Sequence, residues 1–278
     1  MAKMSIQALR DSVERIYTLP ALPGILKKLL GLVENPRVSL NEISDFVSSD
    51  PALASRVLKM VNSPVYGFPG RISSVNQGVL LLGLNVVKGL LLGVSVFDLM
   101  QKSMVGLWEH SVGCAVVARI IAKRMGLREP DEVSVGGLLH DLGKVILILQ
   151  FPKEYGKAMD LAEVDGLTIV ETEKEYFPAN HASAGAWVAQ KWSFPKNLTN
   201  MIEYHHKPHL AKVASYQTAV VHLSDVLIRG RGYGFAGDGN MPPVNPVTWE
   251  RFQLTKNDVK KILAEAEDAI DRTRDLVL

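Results

Sequence analysis

Apolar residues recur at three- and four-residue intervals along almost the whole chain, and signals for β-strands are weak throughout. In LPALPGILKKLLGLVEN the apolar positions fall at 22, 25, 26, 29, 30 and 33. In WEHSVGCAVVARIIAKRMGL (108–127) they fall at 112, 116, 117, 120 and 121. An α-helix advances 100° per residue, so each set lies on one helical face that has to be buried. The spacing predicts an all-α fold.

Turn and cap residues divide the pattern into helices. A short amphipathic helix is expected over 5–17, followed by one whose prolines, Pro20 and Pro23, suit a first turn. Ser39 with Glu42 forms a capping-box pattern opening a helix over 40–48, and Asp50-Pro51 is an N-cap followed by an N1 proline. The prolines and glycines of NSPVYGFPGRISS (62–74) predict a loop, followed by two helices ending near Met100. In the second half, Pro130 opens a helix expected to carry GLLHDLGK and run into VILILQF. Helices are also expected over 153–165 and, acidic and exposed, over 168–176. Asn180 caps the next one. Pro195 at N1 and Ser215 open two more, and a glycine-rich loop (229–246) precedes a terminal helix over 255–276. The expected division is an N-terminal helical part (1–104), a helical bundle (105–230), and the glycine-rich loop with the last helix (231–278).

One stretch, VLLLGLNVVKGLLLGVSVF (79–97), has the length of a membrane span. Asn85 and Lys88 lie near its middle, where a charge in hydrocarbon costs about 3 kcal/mol on insertion scales. Gly83 reads as a helix stop followed by a new start, so two buried or half-buried helices are expected and no membrane contact. A hydrophobic content of 47% with 22% charged residues fits a soluble globular chain with a substantial core. A net charge of +2 provides no field that would recruit nucleic acid. The single cysteine, Cys114, rules out an internal disulfide and suits a reducing cytoplasm, and no signal peptide is expected at the start.

All seven histidines fall between 110 and 222. Each has an ordinary explanation by itself. His181 after Asn180 suits a helix start, His205-His206 suit a helix C-terminus, and His222 with Asp225 could bond along one helix face. Cys114, one turn after His110, reads as a packed core thiol, and Lys144 as a solvated lysine. Together, imidazoles and carboxylates drawn from several helices suit first-row divalent metals, and a carboxylate can bridge two ions where an imidazole cannot.

The ordered series WEHS, LLHDLGK, ANH, EYHH and LSD resembles the HD superfamily of metal-dependent phosphohydrolases. The resemblance implies metal ligation by His110, His140, Asp141, His181, His205 or His206, and Asp225, with Lys144 as a phosphate contact. Asp141 and Lys144 would then serve catalysis through metal-activated water. The first half, SDPALASRVLKMVNSPVYGFPGRISSVNQGVLLLGL above all, is similar to the HDOD family, the HD-related output domains of bacterial signalling. That match runs from about residue 15 to 215. It implies a regulatory protein acting through contacts with signalling proteins in trans, since no receiver, sensor or DNA-binding domain is expected in the remaining residues. The same likeness leaves two alternatives, a phosphohydrolase acting on a nucleotide or phosphoester and a ligand or metal sensor without turnover. No Gly-Tyr-Pro stretch follows His206, so cleavage of cyclic di-GMP is not expected. The ligand types are compatible with iron, manganese, zinc or nickel. Oligomers remain possible. Lys144 is expected at the mouth of a polar site where an anion approaches, and exposed apolar docking surface around 62–78 or 229–246.

Overall fold

A computed structural model of the chain describes residues 4–15, 24–35, 37–63, 66 and 72–271. The prolines at 20 and 23, most of the 62–74 loop and the end of the terminal helix lie outside the described residues. Within them there are sixteen α-helices and no strand. In chain order they are α1 (Ile6–Glu14), α2 (Gly24–Glu34), α3 (Leu40–Ser48), α4 (Pro51–Val61), α5 (Val75–Leu82), α6 (Leu84–Ser103), α7 (Leu107–Arg124) and α8 (Pro130–Leu139). There follow α9 (Leu142–Gln150), α10 (Pro152–Asp165), α11 (Ile169–Tyr176), α12 (His181–Lys191), α13 (Lys196–Tyr204), α14 (Ser215–Arg231), α15 (Pro246–Phe252) and α16 (Lys256–Asp271).

The caps read from the sequence are present. Ser39 and Glu42 form a reciprocal capping box, and Asp50 and Asn180 accept backbone N–H bonds at their helix starts. Pro195 is the N-cap of α13 rather than its first residue, because its ψ of 150° is extended. Gly83, at φ 78°, separates α5 from α6. No helix among the described residues is long and apolar enough to cross a membrane.

Helix α6 joins the two halves. It packs on α2, α4 and α5 on one side and on α7, α8 and α9 on the other, so a single apolar core runs from Leu9 to Ile270. Gly89 and Gly93 allow the close approach, since a β-carbon at either would collide with Val135 or Leu138 of α8. Lys88 is buried in this contact and donates to the Val33 carbonyl at the end of α2 (3.2 Å), and burial lowers its pKa. The charge that argued against a membrane span is thus held by a helix C-terminus, where a cation is favoured.

Helices α7, α8, α9, α12, α13 and α14 form the bundle around the histidines. Helix α7 packs closely on α8, where a β-carbon at Gly137 would lie 2.8 Å from the Cys114 carbonyl oxygen. Two expectations change here. GLLHDLGK is not one continuous helix, because the chain turns at His140-Asp141 between α8 and α9. Helix α11 is not wholly exposed, because Ile169, Thr172 and Glu173 are buried.

Candidate metal centre

The turn at His140-Asp141 is accompanied by a local hydrogen bond that orients the imidazole. His140 is the C-cap of α8, and its Nδ1 lies 2.7 Å from the Gly137 carbonyl, three residues back. His205 repeats the arrangement as the C-cap of α13, with Nδ1 2.7 Å from the Ile202 carbonyl. A carbonyl can only accept, so in both rings Nδ1 carries the proton and the Nε2 lone pair points away from the helix end, into the bundle. Two helix C-termini thus present metal-competent nitrogens to the same space.

His181 is aimed in the same way by a carboxylate. It opens α12, and its Nδ1 lies 2.8 Å from both oxygens of Glu173, while its backbone N–H donates to Glu173 Oε2 (3.0 Å). Tyr155 donates its hydroxyl to the same carboxylate (2.8 Å). Burial, the largest single influence, lowers the His181 pKa, but the Glu173 charge together with hydrogen bonds to Asp141 and Glu173 outweighs it and the net direction is up. Glu173 was not among the sequence-predicted residues. It sits four residues after Ile169 and next to Thr172, so its helix face is the buried one, a spacing that the acidic composition of 168–176 concealed.

Around Asp141 the donors fall into two groups. Its Oδ2 lies 3.5 Å from His110 Nε2 and 3.3 Å from His140 Nε2. His110 Nε2 is also 3.3 Å from His140 Nε2 and 3.3 Å from Asp225 Oδ1, while His140 Nε2 is 4.0 Å from that oxygen. On the other side, Asp141 Oδ1 lies 3.3 Å from His181 Nε2 and 3.8 Å from His205 Nε2, with His206 Nε2 2.9 Å from His181 Nε2. Ligands about 2.0–2.3 Å from a tetrahedral metal lie about 3.3–3.8 Å from one another, so most of these spacings match edges of a coordination polyhedron.

Every sequence-predicted ligand is in the cluster. His110, His140, Asp141, His181, His205 and Asp225 are each at most 1% exposed, and His206 is half-buried. His140, Asp141 and His205 form one candidate ligand group, His181, His205 and His206 another, and His110, Cys114, His140 and Asp225 a third. His205 Nε2, Asp141 Oδ1 and both oxygens of Asp225 have no hydrogen-bond partner. Buried polar atoms left unpaired cost about 1–3 kcal/mol each, more when charged, and cations held in the two donor groups would satisfy them. The residues therefore fit a divalent metal.

Two neighbours are settled differently from expectation. His222 does not bond along α14 to Asp225. Its Nδ1–H donates to the His205 carbonyl (2.8 Å) and its Nε2 accepts from the Asn245 N–H (2.9 Å), so both nitrogens are spent on ordering the chain around His205. Lys144 is not at a solvent-facing mouth. It is 1% exposed, donates to Asp141 Oδ2 (2.6 Å) and to the Ala236 carbonyl (2.8 Å), and its charge, with that of His140, outweighs burial to hold the Asp141 carboxyl well below its usual range. Gly143 likewise serves packing: a β-carbon there would lie 1.9 Å from the His181 carbonyl, so only glycine lets α9 and α12 meet beneath Asp141.

The glycine-rich segment after α14 closes over this arrangement. Phe235 N–H donates to the Gly106 carbonyl (2.9 Å), and Gly234, at φ 71°, lies against the backbone of His110. Asp238 accepts from the Ile169 N–H at the start of α11 (2.8 Å) and pairs with Arg229. What read as a connecting loop ties α7, α11 and α14 together and supplies the carbonyl that Lys144 needs.

Comparison with known proteins agrees with this architecture. An uncharacterised protein of Treponema pallidum is 28% identical over 225 residues, covering 78% of this chain and 43% of that protein, so the chain spans less than half the length of this relative. Among solved structures, an HDOD domain protein of unknown function from Geobacter sulfurreducens is 27% identical, with a TM-score of 0.69 and 98% of both chains covered. A candidate signal transduction protein from Marinobacter aquaeolei shares the fold at 22% identity and a TM-score of 0.68, over all of this chain and 63% of that one. The model of the HDOD domain matches residues 19–208, most of the bundle and of the helices packed on it, and the chain belongs to the HDOD family.

Proposed function

We propose that this chain is a bacterial, cytoplasmic regulatory module that holds a divalent metal in the bundle and acts through contacts with signalling proteins in trans, without turnover. One observation carries the reading: all the donors but His206 are almost completely buried, and the Lys144 ammonium is itself buried and held by Asp141 and the Ala236 carbonyl rather than free to meet a phosphate. Catalytic metal sites keep a coordination position open to water or substrate, whereas closed ones serve structure. Metal held by His110 and Asp225 in one donor group and by His181 and His205 in the other, with Asp141 between them, would clamp α7, α12, α13 and α14 in one packing. Occupancy then biases the conformation offered to a partner, as any ligand with different affinity for two states must.

A metal-dependent phosphohydrolase is the second reading, favoured by Asp141, which faces one donor group with each oxygen. A metal in such a site supplies a hydroxide nucleophile and neutralises charge on a phosphoryl group. Lys144 would have to leave Asp141 to reach an anion.

Assaying metal-loaded protein against an aryl phosphodiester and a panel of nucleotides separates the two. The first reading expects no hydrolysis above that of the metal alone, together with a rise in Tm on loading. Turnover that disappears in Asp141→Ala would replace it with the second.

A further inference from the structure

We infer that Cys114 is a metal ligand, joining His110, His140 and Asp225 in a four-donor half-site selective for a thiophilic tetrahedral cation such as zinc. The inference rests on the metal-binding reading above and names the chemistry of one half of that site.

Cys114 lies one helical turn after His110 on α7, so both side chains leave the same face. Its Sγ is fully buried and 3.5 Å from His110 Nε2. In a tetrahedral site with sulfur about 2.3 Å and nitrogen about 2.0–2.1 Å from the metal, the sulfur–nitrogen edge is about 3.6 Å. One atom from each of Cys114, His110, His140 and Asp225 lies within 4.8 Å of all the others. A second observation is independent of the cysteine: both Asp225 oxygens are buried without a hydrogen-bond partner, and Oδ1 lies 3.3 Å from His110 Nε2 and 4.0 Å from His140 Nε2. The helix that carries the thiol is held in place. Gly137 of α8 lies directly against the Cys114 backbone, and Ser134 donates to the next carbonyl, Ala115 (3.0 Å).

The chemistry balances simply. The metal displaces the thiol proton to solvent and forms one metal–sulfur bond, with no oxidant or reductant. A thiolate among imidazoles and a carboxylate favours zinc or ferrous iron and disfavours manganese and magnesium, which prefer oxygen. Asp141 Oδ2, 3.5 Å from His110 Nε2 and 3.3 Å from His140 Nε2, borders the same half-site, so loss of that carboxylate would release this metal too.

Cobalt(II) reports thiolate ligation directly. Metal-free, full-chain protein titrated with cobalt is expected to bind it stoichiometrically and to develop a thiolate-to-cobalt charge-transfer band in the near ultraviolet. Cys114→Ser, with Cys114→Ala as a second variant, is expected to lose the band while retaining the helical circular dichroism. Its preference for zinc over manganese is expected to fall by more than about 10-fold, since losing the one soft ligand costs more than losing the support of a ligand. Stoichiometric cobalt without the band in the wild-type protein would overturn the role of Cys114 and leave the metal reading standing. No cobalt bound at all would overturn both.

Discussion

Glu173 shows how far a single side chain can reach in this bundle. Its carboxylate accepts from Tyr155 and from two donors of His181, and in doing so decides which nitrogen of His181 faces Asp141. Glu173→Gln keeps the shape but offers an NH2 where acceptors are needed. It is expected to weaken metal binding by about 10–100-fold with the helical content intact, measured by competition against a chromogenic chelator. At this scale the sequence was informative about ligand types and silent about their supports. His110, His140, Asp141, His181, His205 and Asp225 stand out as an ordered series. Glu173 does not, because a glutamate in an acidic helix looks solvated until its contact with His181, eight residues away, is known. His222 belonged to the histidine series, yet its two hydrogen bonds go to backbone groups that pattern alone cannot place.

Among the elements, the break between α8 and α9 and the segment after α14 control the site. Gly143→Ala puts a methyl group 1.9 Å from the His181 carbonyl, a backbone atom that cannot rotate aside. It is expected to cost about 1–3 kcal/mol or more in urea unfolding and to release metal, because α12 has to move off α9. Lys144→Met removes the cation from Asp141 and leaves the Ala236 carbonyl unpaired. Breaking a buried pair from one side costs about 3–5 kcal/mol. The loss is expected to be smaller in metal-loaded protein, where a second cation faces Asp141, and chemical denaturation with and without chelator measures the difference. Helix boundaries were legible from caps such as Ser39 and Asp50 because a cap is a local hydrogen bond. The break at His140-Asp141 was not, since LLHDLGKVIL keeps helical spacing straight through it and the turn is set by tertiary contacts of Gly137 and Gly143. The 229–246 segment carries no periodicity, so neither its strap over Lys144 nor α15 within 246–252 could be read from it.

For the molecule as a whole, all-helical class and family membership were legible early, because periodicity and the DPALASRVLKMVNSPVYG stretch are properties of the chain. How closed the site would be was not, since burial depends on α6 drawing both halves into one core. That burial has a consequence for pH. His110, His205, His206 and His222 are held below their ordinary value of 6.5, chiefly by burial, while His181 is raised. For the four lowered groups the unfolded chain takes up protons below pH 6.5 before the folded one does, so stability is lost as pH falls from 6.5 towards the folded values. The raised His181 contributes in the opposite sense, its share being lost as pH rises through its folded value. The four outweigh the one. Metal-free protein is therefore expected to lose Tm steadily below pH 6.5, at up to about 1.4 kcal/mol per pH unit for each imidazole kept neutral. Flat stability between pH 6.5 and 5 in thermal melts would contradict that burial. Metal at a hundredfold excess over its Kd adds about 2.7 kcal/mol, or about 5–10 °C in Tm for a chain of this size.

Everything proposed for function depends on metal being held by this cluster. Elemental analysis of purified, tag-free protein beside Asp141→Ala, with no metal added, tests it most directly. The expected result is stoichiometric iron, manganese, zinc or nickel in the wild-type protein and its loss in the variant, with both folded. Metal-free wild-type protein as stable as the variant, and unchanged in Tm when those metals are supplied, would contradict it.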